Sequence, residues 1–114
     1  MKTGIELIAE ERTRQVTEEG FTLEHDQQKH LNHELALAAI SYACAAADSR
    51  VSPDVMHYDR LVRPGWDWPW KLEQWKPSAS AVRNLVKAGA LIAAEIDRLR
   101  LLEQKPDQQP EQVA

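Results

Sequence analysis

Apolar residues recur at helical spacing in three parts of the chain, and this pattern predicts three helices. The first begins at Thr3, because Thr3 and Glu6 have the spacing of a capping box, and Gly20 is a suitable end. Its predicted inner stripe consists of Ile5, Ile8, Ala9 and Val16. Arg12 lies within this stripe and Gln15 beside it, so polar groups are expected near the core.

The second helix is predicted over residues 32–47, and apolar residues occupy two of its sides. One side carries Leu31, Leu35, Ala38, Ala39, Tyr42 and Ala46. The other side carries Leu37, Ile40 and Cys44. Because a helix that is apolar on nearly all sides is usually enclosed by its neighbours, we expect this one to be central.

The third helix is predicted to start after a cap at Ser78 or Ser80 and to continue to about residue 104. Its predicted inner stripe consists of Val82, Leu85, Val86, Gly89, Ile92, Ala93, Ile96 and Leu99. Gly89 costs about 1 kcal/mol relative to alanine in a helix, and close packing against the alanine-rich second helix is expected to offset this cost. A second apolar row, predicted to contact another subunit, consists of Ala88, Leu91, Glu95 and Leu102.

These helices predict an all-α fold with one domain over residues 1–105 and a disordered polar tail over 106–114. The connection between the second and third helices is too long to lack structure in a compact domain. Ser52 and Pro53 are typical of a helix start, so a short fourth helix is expected in this Trp-rich middle loop, around residues 53–61. The expected assembly is a helical bundle that forms a homodimer.

Composition narrows the function classes. The 114 residues carry a net charge of -4, which disfavours general binding to extended nucleic acid. Cys44 is the only cysteine, so an intrachain disulfide is excluded and a reducing compartment is expected. The start of the chain becomes charged too early for a secretory signal, and LALAAISYACAAA is too short for a membrane span. A cytoplasmic location is therefore expected.

Glu11, Arg12 and Gln15 form the first candidate site. An inward carboxylate could bind magnesium, and an inward guanidinium could bind phosphate. The alternative is a structural role, in which Arg12 pairs with Glu34 or Glu95 and holds the three helices together.

The segment EHDQQKHLNHE contains five potential metal ligands, namely His25, Asp26, His30, His33 and Glu34. Their spacing matches no established zinc signature. Glu34 falls in the first turn of the second helix, where it either complements the helix dipole or points into a pocket.

Lys87 and Glu95 are a further pair of candidates, and they lie roughly 80° apart around the third helix. Glu95 belongs to the row assigned to a subunit contact. It is therefore expected either in a salt bridge between subunits or as a metal ligand between helices.

All four tryptophans occur within PGWDWPWKLEQWKP. Trp66, Trp68 and Trp70 alternate with Asp67 and Pro69, which predicts an extended segment with three rings on one side. Trp75 follows after what would be a single turn. Three roles are open for these rings: a lid on the core, a stacking surface for a base or a contact for a protein partner.

The runs ELIAEERTRQVTEEGFTLEHD, HELALAAISYA, WPW…WKP and LVKAGALIAAEIDRL resemble a family of small phage and prophage proteins. The helical layout is in turn similar to all-α nucleoside triphosphate pyrophosphohydrolases of the MazG type. That resemblance implies a dimer or tetramer in which ExxE and ExxD pairs bind magnesium and the enzyme releases a nucleoside monophosphate and pyrophosphate. Here, however, Leu37 stands three positions after Glu34, and Arg98 three after Glu95.

The resemblance leads to the hypothesis of a magnesium-dependent nucleotide-processing protein in the cytoplasm of a bacterial host. Glu34 and Lys87 would be catalytic. The metal ligands would be Glu11, Asp26, Glu34 and Glu95, and the nucleotide would meet Arg12, Gln15, Trp66, Trp68 and Trp70. The alternative is a non-catalytic module that sequesters a nucleotide or engages a host protein through the Trp-rich face, in which the acids pair with arginines. A structural phage protein is a third option.

Overall fold

The computed structural model describes residues 1–20, Thr22, His25, 33–48 and 68–104. Three helices lie in these ranges: α1 (Gly4–Glu19), α2 (Glu34–Asp48) and α3 (Ala81–Gln104). A single 3-10 turn spans Leu72–Gln74, between Trp70 and Trp75. Within the described ranges there is no strand, which confirms the all-α prediction. The short helix predicted around residues 53–61 and the tail 106–114 lie outside the described residues.

The ends of the helices are set by local chemistry. The Thr3 hydroxyl accepts a hydrogen bond from the backbone N–H of Glu6 at 3.2 Å, and the Glu6 carboxylate accepts one from the Thr3 backbone, which confirms the capping box. Gly20 ends α1 with φ 72°, a left-handed conformation that favours glycine. Ser80 accepts from the Arg83 backbone at 3.2 Å and caps α3.

Helix α3 lies between the other two. The Ile8 side chain packs on Gly89 and Glu11 bonds to Arg83, so α1 runs antiparallel to α3. His33 at the start of α2 contacts Glu95, and α2 is likewise antiparallel to α3. No Cα atom of α1 lies within 8 Å of one of α2, whereas both helices lie against α3. The central helix of the three is therefore α3, and the expectation that the second helix is central was wrong.

The buried face of α2 agrees with its apolar pattern. Within its described part, the predicted inner side is buried in full: Leu35, Ala38, Ala39, Tyr42 and Ala46. On the opposite side, Leu37 and Cys44 are partly exposed, and Ile40 is 47% exposed. Alanines let α2 approach α3 closely, and Leu35, Tyr42 and Leu91 supply bulk between the two helices.

The buried face of α3 differs from the predicted one. Its buried residues are Asn84, Val86, Ala88, Ala90, Leu91, Ala94, Glu95 and Arg98. The stripe predicted to face the core is largely exposed, at Val82, Leu85, Ile92, Ile96 and Leu99. Conversely, Ala88, Leu91 and Glu95, which the sequence assigned to a subunit contact, are buried within the chain against α2. Both rows are apolar enough to be buried, and in the row that faces α2 the charges of Glu95 and Arg98 are paired with each other and with His33.

Helix α1 also buries an unexpected side. Ile5 and Ala9 of its predicted stripe are exposed, whereas Glu11 and Gln15 are 2% exposed. Gly89 explains how α1 approaches α3, because a Cβ placed there would lie 2.6 Å from Cδ1 of Ile8. The missing side chain at residue 89 thus admits α1, rather than α2 as expected.

Candidate functional site

A cavity of about 520 Å³ lies where α1, α2 and α3 meet the segment that carries Trp68 and Trp70. This volume is in the range of small-molecule sites. Aromatic and apolar side chains form one wall: Tyr42, Trp68, Trp70 and Leu91. Polar and charged side chains form the rest of the lining: Glu11, Arg14, Gln15, Glu19, His25, Gln74, Lys76 and Lys87.

The three rings of this wall, Tyr42, Trp68 and Trp70, form one connected cluster with the buried ring of Trp75. Trp75 is buried against Tyr42 with ring centroids 4.7 Å apart, and Trp68 meets the edge of Tyr42 at 5.8 Å. Trp70 packs edge-on to Trp68 at 5.3 Å, and both rings are partly exposed. Trp68, Trp70 and Trp75 therefore cover the core, which is one of the three roles that the sequence left open. Trp68 and Trp70 also form part of the cavity wall.

Local hydrogen bonds fix the segment that carries these rings. Trp68 Nε1 donates to the Lys71 carbonyl at 3.0 Å, and Gln74 accepts from the Lys71 backbone at 3.2 Å. The fully buried Asn84 side chain bonds to both backbone groups of Ser78 at 2.8 Å, and this ties the end of the segment to α3. The rings are thereby held rigidly relative to α3.

Lys87 extends from α3 into the cavity. Its ammonium group donates to the Lys76 carbonyl at 2.7 Å and lies over the Tyr42 ring, 5.4 Å from the centroid. Burial, followed by repulsion from Arg83, lowers the pKa of Lys87 below its usual value. A partly dehydrated ammonium group of this kind attracts an anion more strongly than a solvated one.

Glu11 is neutralised by two guanidinium groups. Arg14 forks onto its two carboxylate oxygens at 2.9 and 2.8 Å, and Arg83 of α3 bonds to one of them. Burial raises the pKa of Glu11, but the hydrogen bonds from the two arginines outweigh it, and the net pKa is lowered. The sequence singled out Arg12 at this site, either to bind phosphate or to pair with Glu34 or Glu95, and it did not select Arg14 or Arg83, which are the described partners of Glu11.

Gln15 is the one buried side chain in the described residues with an oxygen that lacks a hydrogen-bond partner. Its Nε2 donates to Glu11 at 3.3 Å, whereas Oε1 has no donor within the described part of the chain. Gln15 is 2% exposed and lines the cavity. A buried unsatisfied acceptor costs about 1–3 kcal/mol, so an acceptor kept at this position is suited to a donor on a bound molecule.

Glu95 belongs to a different junction, between α3 and the start of α2. Arg98 donates to its two oxygens at 2.6 and 3.0 Å, and His33 Nδ1 lies 2.7 Å from it. Burial raises the pKa of Glu95, and the bonds from Arg98 and His33 lower it more strongly. The sequence predicted either a bridge between subunits or a metal ligand, but the described ion pair of Glu95 lies within one chain.

The structure brings five of the predicted site residues to one cavity: Glu11, Gln15, Trp68, Trp70 and Lys87. Arg12, Glu34 and Glu95 are not in its lining, and Asp26 and Trp66 lie outside the described residues. Glu95 stands twelve positions beyond Arg83, which is about 18 Å along α3. In the described ranges, no three His, Cys, Asp or Glu side chains form a group that could hold a metal ion. Glu11, at the level of Arg83, and Glu95 therefore lie too far apart along α3 to bind the same magnesium ion.

Sequence reasoning did not select several side chains of the site: Arg14, Glu19, Tyr42, Gln74, Lys76 and Arg83. A signal existed for Arg14, because Glu11 and Arg14 are three positions apart and such pairs meet on a helix surface. Arg83 and Lys76 depend on how α3 packs, and no local pattern reports that.

The chain matches no known family model, curated protein or solved structure. In the described residues, no helix is long and apolar enough to cross a membrane.

Proposed function

We propose that this protein binds a nucleotide in the cavity between its three helices, with the base against the tryptophans and the phosphates near Lys87. The observation that carries this proposal is one cavity that combines an aromatic wall, a dehydrated ammonium group and an unsatisfied amide oxygen. Bases stack on indole rings, and lysine binds phosphate as a point charge.

Each group has a distinct part. Trp68 and Trp70 both line the cavity and offer indole rings to a base, whereas Tyr42 already lies between Trp75 and Lys87. Gln15 Oε1 accepts from an N–H group of the base edge or from a sugar hydroxyl. The lining contains three cations, Arg14, Lys76 and Lys87, and two carboxylates, so cations outnumber carboxylates where the phosphates would lie.

The pairing of Glu11 and Glu95 with arginines favours a binding module over a metal-dependent hydrolase. Both carboxylates are engaged by guanidinium groups, so neither projects free oxygens toward a shared cation. Of the hypotheses from the sequence, the proposal therefore retains the non-catalytic module of a phage-type protein that sequesters a nucleotide.

Tryptophan fluorescence and calorimetry test the proposal directly. Nucleoside mono-, di- and triphosphates are titrated with and without magnesium, and pyrophosphate release is followed in the same samples. We expect saturable binding and no turnover. No binding of any nucleotide up to about 1 mM contradicts the proposal, and pyrophosphate release would instead support the hydrolase.

Two variants with matched controls locate the site. Lys87→Met is expected to weaken triphosphate binding roughly tenfold or more, whereas Lys71→Met, at an exposed lysine outside the cavity lining, leaves it unchanged. Gln15→Leu is expected to weaken binding while the free energy of unfolding changes little, because removal of the unsatisfied acceptor offsets loss of the long bond from Nε2 to Glu11. A Gln15→Leu variant that loses stability and binds normally contradicts a ligand role.

A further inference from the structure

We infer that α1 and α3 together form a self-association surface, on the side of α3 away from the cavity, which a second copy of this chain covers. The surface consists of Ile5 on α1 and Val82, Leu85, Ile92, Ile96 and Leu99 on α3, all exposed. Lys87 and Ile96 are nine positions apart, which is about 180° around a helix. The surface is therefore independent of the proposed nucleotide site.

The pattern along α3 is that of a packing seam. Val82, Leu85, Gly89, Ile92, Ile96 and Leu99 follow each other at alternating intervals of three and four positions, the spacing by which helices pack through apolar knobs. None of these six positions is charged. A solvent-facing helix side would carry polar residues at this spacing.

Helix α1 extends the same side. Ile8 packs on Gly89 at the middle of the seam, and Ile5 lies one turn away on the same side of α1 with 82% of its surface exposed. Two antiparallel helices with adjacent apolar sides are half of a four-helix bundle. The missing half is supplied most simply by the same helix pair from another molecule.

The spacing of the residues in this row is the same from either end, because the intervals between them are three, four, three, four and three positions. A two-fold axis across its middle would place each end of the seam against the other end in the partner, as an isologous contact requires. With about half of each side chain exposed, the surface offers on the order of 500 Å² per copy, so two copies reach the ~1,000 Å² of a specific interface. A patch of about 500 Å² is in the range of the largest apolar patch on a single chain, and such patches often mark a contact site.

Light scattering on the full chain over a range of concentrations tests the inference. We expect the mass of a dimer for the natural chain, and Ile96→Glu should weaken the association roughly 100-fold or more by placing a charge within the apolar contact. Ile40→Glu is the matched control, because Ile40 is exposed to a similar extent, 47% against 51%, but lies on α2 outside the surface. Ile40→Glu should remain dimeric.

Circular dichroism checks that each variant keeps its helices, and Ile92→Glu serves as a second variant should Ile96→Glu misfold. A natural chain that is monomeric up to near-millimolar concentration overturns the inference. Equal loss of association in Ile40→Glu and Ile96→Glu also overturns it. Because the surface and the cavity lie on opposite sides of α3, a monomeric Ile96→Glu variant should still bind nucleotide if the proposed function is correct.

Discussion

Glu11 and Glu95 are both buried carboxylates at contacts of the central helix α3, one with α1 and one with α2, yet their surroundings differ. Glu11 reaches across from α1 to Arg83, and its cationic partners Arg14 and Arg83 keep 32% and 40% of their side chains exposed beside a cavity. Glu95 pairs with Arg98, whose side chain is 3% exposed, at the junction with α2, where the second partner, His33, is 62% exposed. The carboxylate–guanidinium pair therefore has accessible guanidinium groups in one place and an enclosed one in the other.

This difference teaches that burial of a carboxylate alone does not identify a functional site. The accessibility of its partners is more informative, because exposed guanidinium groups can rearrange around a ligand and enclosed ones cannot. The junctions can be compared by substitution, starting with the change of largest expected effect.

Glu95→Gln is expected to lower the free energy of unfolding by about 3 kcal/mol, because it removes the carboxylate from the buried Arg98 guanidinium. Urea denaturation at neutral pH measures this. The exposed Glu103, near the end of α3, provides the control, and Glu103→Gln should stay within about 0.5 kcal/mol of the natural chain. Equal values for the two variants would mean that the Glu95–Arg98 pair contributes nothing to the free energy of unfolding.

Glu11→Gln is expected to cost less, about 1–2 kcal/mol, because water can hydrate the partly exposed Arg14 and Arg83. The same variant should bind triphosphates more tightly, since removal of a negative charge leaves the cavity more cationic. Denaturation and calorimetry measure the two effects. Weaker binding would instead indicate that Glu11 contacts the ligand through a metal ion.

Gly89→Leu tests the apolar part of the α1 contact. A larger side chain meets Ile8 and is expected to destabilise the chain by about 1 kcal/mol net, since overpacking outweighs the gain in helix propensity. The cost should shrink in an Ile8→Ala background, which a double-mutant cycle measures. Additive costs would show that the two positions do not interact.

Acid pH should act on both junctions. The pKa values of Glu11 and Glu95 are lowered from 4.5, so each carboxylate stabilises the chain above that pH, and this stability is lost as the pH falls through the folded values. Glu11→Gln and Glu95→Gln should each flatten the fall in unfolding free energy between about pH 5 and pH 3. Unchanged slopes in both variants contradict these shifts.

Features set by neighbouring residues could be predicted from the sequence. The helix ends at Thr3, Gly20 and Ser80 depend on hydrogen bonds or backbone conformations that involve only a few neighbouring residues. The buried side of α2 could be predicted because its apolar residues recur at helical spacing. The inward polar residues of α3 could not be predicted. Asn84, Glu95 and Arg98 make the buried row of α3 look like a surface row. They are satisfied inside because Ser78, just before the helix, pairs with Asn84, and because His33, distant in sequence, pairs with Glu95 beside Arg98.

The candidate site shows the same division. Gln15, Trp68, Trp70 and Lys87 could be selected because their residue types suggest chemistry. Their meeting in one cavity could not be derived, because it depends on α1 packing through the gap at Gly89. The assignment of Glu11 and Glu95 to one metal site could not be checked from the sequence, because a resemblance in layout carries no information on which side of a helix faces inward.

Among the described helices, α1 is held by α3 alone. A motion that lifts α1 from α3 would open the cavity along Glu11 and Gln15 while the aromatic core beside α2 stays closed. The rate at which a trapped molecule escapes would then follow the lifetime of the Glu11–Arg83 contact, and backbone amides of α1 would exchange with heavy water sooner than those of α2.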